Sequence, residues 1–147
     1  MRIFTCLATA LVLLILVQSV SRPAIGQTPQ TLVGKWKVVK SQGEEGSDPG
    51  TMEFFKDGRI IIMQKNYPPA EGTYTTDDTK SPATIVIKVA IEEPETHKKN
   101  VVDCYGIYKF NGDRLILKAV NGPKTNAPTD FTVDKDGYTN LEMMRDQ

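Results

Sequence analysis

The sequence is short of cysteine, of histidine and of any excess of charge, and each shortage removes a class of explanation. It has two cysteines, Cys6 and Cys104, and Cys6 lies inside the apolar run that opens the chain. If that run is removed on export, Cys104 stands alone and no internal disulfide can staple the fold. The single histidine, His97, sits between Thr96 and Lys98-Lys99 in a charged stretch. A zinc site needs three or four convergent ligands, and no spaced set surrounds it. Basic and acidic residues both number 18 and are interspersed, so there is no electrostatic footprint for nucleic acid or anionic lipid. No Gly-rich phosphate loop and no Gly-x-Ser-x-Gly elbow occurs. Sustained helical periodicity and low-complexity tracts are missing too.

Long apolar runs are confined to the start. Met1-Arg2 is a short positive lead, Ile3 to Val17 is almost wholly apolar, and Ala24-Ile25-Gly26 supplies small residues ahead of Gln27. This is the pattern of a signal peptide over residues 1–26 with an A-x-G type cleavage site. A retained membrane anchor is the competing reading, but a spanning helix wants roughly 20 apolar residues and this run falls short. Cys6 precedes most of the run, which is the wrong place for lipid attachment. Removal of residues 1–26 takes away two arginines and no acid, leaving 16 basic against 18 acidic residues, a net charge of −2. The expectation is an exported protein, secreted or periplasmic, with no stable membrane insertion after cleavage. Residues 27–31 form a short polar lead-in, and residues 32–147 make one domain. A chain of this size buries roughly two thirds of its unfolded surface, enough for a core without staples.

What the sequence does have is a succession of short alternating segments separated by turn residues. In the central stretch from Val101 to Val120, Asn111-Gly112 is a strong two-residue hairpin signal. It predicts Phe110 facing Asp113, Tyr108 facing Leu115 and Gly106 facing Leu117. Alternation then gathers Cys104, Tyr108, Phe110, Leu115 and Leu117 on a core face, and leaves Asp103, Lys109, Arg114 and Lys118 on a face mostly for water. Asp57-Gly58 repeats the logic, pairing Phe54 with Ile61 and Met52 with Met63. Thr84 to Ile91 is the most β-branched run and reads as a buried strand. A last hairpin is expected from Thr129–Val133 and Tyr138–Arg145 around Asp134 to Gly137. Eight or nine strands at roughly 8–12 residue spacing predict an all-β protein, and closure into an antiparallel barrel hides the strand edges.

Several local patterns occur in a characteristic order: Leu32-x-Gly34-x-Trp36, Glu71-Gly72-Thr73-Tyr74, Gly106-Ile107-Tyr108-Lys109, Gly112-Asp113-x-Leu115-x-Leu117 and Pro128-Thr129-x-Phe131. In this the chain resembles a family of small exported lipocalin-like bacterial proteins, best known from planctomycetes, over Leu32 to about Arg145. The resemblance implies an eight-stranded up-and-down barrel, and it is specific for the family rather than for any activity. It also implies that Gly34 and Trp36 close one end, with the basic Arg145 lying across the indole. Asp130 stands where relatives often carry Glu.

An eight-stranded barrel is either filled by side chains or holds one small ligand. The expected interior ligand set is Phe54, Met63, Tyr74, Ile87, Tyr108, Leu117 and Phe131, with the two tyrosine hydroxyls orienting a ligand's polar end. The function expected is a binding module for a small, mainly apolar ligand. The alternative is a filled barrel that meets an extracytoplasmic protein through the Ser41–Gly50, Glu92–Asn100 and Asn121–Pro128 loops. Neither requires a cofactor or a metal. An enzyme is not expected. A Cys104–His97 pair requires the charged loop to fold over its neighbouring strand, and the adjacent acids Glu44-Glu45, Asp77-Asp78 and Glu92-Glu93 read as solvated turns. Asp134-x-Asp136-Gly137 lacks the Glu a calcium loop needs six residues after its glycine, where Met143 stands.

Overall fold

The computed structural model describes residues 30–45, 50–92 and 96–146. The expected signal peptide, and the lead-in up to residue 29, lie outside the described residues. Among the described residues, nine strands follow in chain order: β1 (Gly34–Ser41), β2 (Glu44–Glu45), β3 (Thr51–Phe54), β4 (Arg59–Met63), β5 (Ala70–Asp77), β6 (Ala83–Glu92), β7 (Lys99–Asn111), β8 (Arg114–Asn121) and β9 (Tyr138–Arg145). All pairings are antiparallel. From β3 to β9 each strand pairs with the next, while β1 pairs with both β3 and β9 and so closes the cylinder. The two-residue β2 is a small hairpin on the end of β1. The result is an eight-stranded, closed, up-and-down barrel, consistent with a lipocalin-like fold; the antiparallel barrel is what the patterning predicts, and the eight-stranded up-and-down form is what the resemblance implies. No helix among the described residues is long and apolar enough to cross a membrane.

Alternation explains the interior. Trp36, Phe54, Ile60, Ile85, Ile87, Val89, Tyr108, Leu115, Leu117 and Met143 pack into one buried cluster together with Leu32, which precedes β1. These large side chains fill the barrel's middle, and their burial is the main driving force for closure.

Turn geometry corrects two expected registers. At the central hairpin Asn111 pairs with Arg114, so the turn falls on Gly112-Asp113, and Tyr108 lies opposite Leu117 rather than Leu115. The partner moves by two places, so every side chain keeps its face. The β3–β4 hairpin is different. Phe55 N–H donates to Arg59 O at 2.9 Å, Gly58 N–H donates to Phe55 O at 3.1 Å, and Gly58 takes a φ of +86°. That is a three-residue loop with its glycine in the left-handed region, not a two-residue turn. Phe54 accordingly pairs with Ile60, and Met52 with Ile62. A one-residue slip exchanges faces, so Ile60 and Ile62 point inward and Met63 does not.

The expected strand Thr129–Val133 does not form. Residues 122–137 instead run as an irregular strap, with one 3₁₀ turn at Lys124–Asn126, from the end of β8 to the start of β9. Asp130 is the local cause. Its Oδ1 accepts from the Thr132 N–H at 2.8 Å, the Thr132 hydroxyl at 2.8 Å and the Val133 N–H at 2.9 Å, and this bends the backbone away from a ladder.

One end of the barrel is shut by the start of β1. The Trp36 indole is buried and donates from Nε1 to Leu32 O at 2.8 Å. Arg145, directly across the seam in register with Trp36, lays its guanidinium 4.1 Å from the indole centroid. It also donates to Val33 O and Thr31 O, both at 2.6 Å. Gly34 is required beneath it: φ is +126°, and a Cβ there would lie 2.1 Å from an Arg145 nitrogen. Trp36→Ala removes the indole from this plug and is expected to cost about 3–5 kcal/mol in denaturant unfolding. A loss under about 1 kcal/mol contradicts the buried-plug geometry.

Candidate functional site

The strand ends gathered at the Trp36 end leave an open hollow beside the plug. It has a volume of about 780 Å³. Its floor and inner wall come from alternate residues of three strands, Tyr74 and Thr76 on β5, Ala83 on β6, and Tyr108 and Phe110 on β7. The rim is built by residues 30–33, by Asp78, Lys80, Ser81 and Pro82 of the β5–β6 turn, by Lys109, and by Asp130 and Phe131 of the strap. Aromatic edges define its shape. Tyr108 and Phe110 meet edge to face with ring centroids 6.0 Å apart, and Phe110 lies 6.1 Å from Trp36. The hollow is thus the mouth above a packed core, not a deep cup.

Both tyrosine hydroxyls are held in place. Tyr74 donates to Phe55 O at 2.9 Å, while its ring meets Phe54 edge to face. Burial, with a smaller effect from the Asp57 charge, raises its pKa. Tyr108 donates to the Asp78 carboxylate. Burial pushes the Tyr108 phenol well above its usual range, and the bond to Asp78 adds to the effect. Both phenols therefore stay neutral donors at physiological pH. Asp78 fixes the orientation of Tyr108 from the rim.

The strap reaches this mouth because of a lysine on the outside of the barrel. Lys118 belongs to the β8 face expected to meet water, yet it is 1% exposed. Its ammonium donates to Val133 O at 2.5 Å and Phe131 O at 3.3 Å and pairs with Asp134 at 2.8 Å. The Tyr138 ring lies 5.5 Å away. Lys118, in turn, is the main cause of the lowered Asp134 pKa. Ile107, Val120 and Tyr138 are buried as well, although none of them belongs to the interior cluster. Under the strap they form a second apolar layer outside the cylinder. Alternation alone could not reveal it, because the covering segment lacks strand periodicity. The signal was the presence of Ile107, Ile116 and Val120 among the charges of that face.

The expected ligand residues divide three ways. Tyr74, Tyr108 and Phe131 line the hollow; Phe54, Ile87 and Leu117 lie in the packed cluster beneath it; Met63 is turned away by the β3–β4 register. Phe131 comes from the strap rather than a strand, with the Lys109 ammonium 4.4 Å from its ring centroid. Gly34, Trp36 and Arg145 are brought together at the closed end. Elsewhere, Cys104 donates to Asn121 Oδ1 at 2.9 Å, and burial raises its thiol pKa, which keeps it protonated. His97 pairs with Glu92 at 2.8 Å on the surface. Among the described residues no three His, Cys, Asp or Glu side chains gather as metal ligands. Set against protein-family models, curated proteins and solved structures, the chain finds no match.

Lys118→Ala strands two strap carbonyls and frees the segment that carries Phe131. The expected loss is about 2–4 kcal/mol, since hydrogen bonds to charged groups contribute about 1.5–3 kcal/mol each. Amide exchange over 131–134 should quicken more than over β6. Unchanged stability together with unchanged exchange rules out the latch.

Proposed function

We propose that this protein is an exported binding module, secreted or periplasmic, that holds one small and mainly apolar ligand at the mouth of its barrel. The family proposed for it is the small exported lipocalin-like bacterial group that its ordered motifs resemble. One observation carries the binding reading, the open hollow walled by Tyr74, Tyr108, Phe110 and Phe131 above a rigid core. A concave, aromatic surface with a few fixed polar groups is the general form of a small-molecule site. The neutral Tyr108 hydroxyl, oriented by Asp78, supplies such a group. Catalysis is not part of the proposal, because the half-buried thiol of Cys104 and the surface His97 each have their own partners.

The dense packing of Phe54, Ile87, Leu115, Leu117 and Met143 supports a second reading, a filled barrel that meets a protein partner through its loops. The two readings differ in what the mouth does. In the first, 1-aminoanthracene binds saturably with one-to-one stoichiometry and is displaced by the natural ligand. Thr76 is exposed and lines the hollow, so Thr76→Trp blocks the mouth without disturbing the core. It should weaken the probe at least about tenfold, equivalent to about 1.4 kcal/mol, with an unchanged thermal midpoint. Equal probe affinity in the two proteins, or no saturable binding, favours the loop reading.

A further inference from the structure

We infer that the ligand of the mouth is an anionic amphiphile, a carboxylate attached to an apolar body, with its acid group at the rim between Lys80 and Lys109. The inference rests on the binding reading above and adds the charge of the ligand to it. Four ionisable rim residues line the hollow, Asp78, Lys80, Lys109 and Asp130. They balance in number but not in hydrogen-bonding demand. Asp78 already accepts from the Tyr108 hydroxyl. The Oδ1 of Asp130 already takes three donors within its own turn, and those hydrogen bonds, led by the Thr132 hydroxyl, hold its pKa below the usual value. Both acids are engaged, each through its Oδ1, in positioning the wall.

The lysines are not. Neither Lys80 nor Lys109 forms a salt bridge among the described residues. Lys80 feels the charge of neighbouring Asp77, which is itself engaged by Thr79. Lys109 rests over the Phe131 ring at 4.4 Å, a contact that holds the ammonium at the rim while leaving its N–H donors available. Lys118, by contrast, makes three contacts to the strap. The mouth therefore offers uncommitted donors of one sign above an aromatic floor. An ammonium carries three donors and no acceptor, so the complementary head is a pure acceptor, and a charge-assisted pair is stronger than a neutral one. A cationic or neutral head leaves both lysines unused.

The test compares cis-parinaric acid with its methyl ester, which share a tail and differ in head charge, by fluorescence titration of the purified protein at low salt. The acid should bind at least about tenfold more tightly than the ester. In the double variant Lys80→Gln, Lys109→Gln the two affinities should come within about twofold of each other, through a weaker acid and an unchanged ester. Both side chains are exposed, and a matching thermal midpoint verifies that the variant folds. Equal binding of acid and ester by the unaltered protein overturns the charge assignment and leaves the mouth site standing. So does an acid preference that survives the double substitution. No binding of either molecule overturns the mouth site itself.

Discussion

The pairing of β1 with β9 is the contact on which the molecule depends. Every other long pairing joins strands that follow one another around the sheet, β8 and β9 through the long strap, whereas this one unites the first and last strands of the domain. Without it, an eight-stranded sheet has two exposed edges, each a row of unpaired backbone groups. With it, the apolar faces curl inward and bury one another. The seam is reinforced where it needs to be: Trp36 and Arg145 are register partners in the ladder and stack on each other, a contact of about 0.5–2 kcal/mol. The guanidinium also ties down the carbonyls of residues 31 and 33, which brings residues 30–33 across the end of the barrel and sets one side of the mouth.

The architecture was legible because its signals are local. Alternation in Thr84–Ile91 and across the Val101–Val120 stretch specifies strand faces, and turn residues specify the boundaries. The central hairpin tolerated a misplaced turn, because Gly112-Asp113 instead of Asn111-Gly112 moves partners by two and preserves the alternation. Met63 had no such protection. Its face depended on whether Asp57-Gly58 formed a two- or three-residue loop, and the choice was made by Gly58 adopting positive φ.

The site was less legible, and for a different reason. Three of its residues, Tyr74, Tyr108 and Phe131, could be singled out from their types, but their depth could not. Phe54, Ile87 and Leu117 share the inward pattern and are equally apolar, yet they pack as core. Periodicity says which face a residue takes and nothing about how far along the cylinder the packing stops. The strap was the harder miss. Its course over the outer face is set by the buried Lys118 and by the Asp130 turn, tertiary features that a lysine in an alternating strand does not announce. The mouth combines both kinds of element. Strands give it a rigid aromatic floor, and irregular segments give it a rim that carries the polar groups.

The most direct measurement is native-state amide exchange at the seam. The β1 and β9 amides that point across it should exchange only through global unfolding, with protection equal to that of the β6–β7 ladder, the most extensively paired in the barrel. Exchange at the seam with the low protection of a frayed edge would show that the sheet is open, and the plug, the mouth and the site built on them would fall with it.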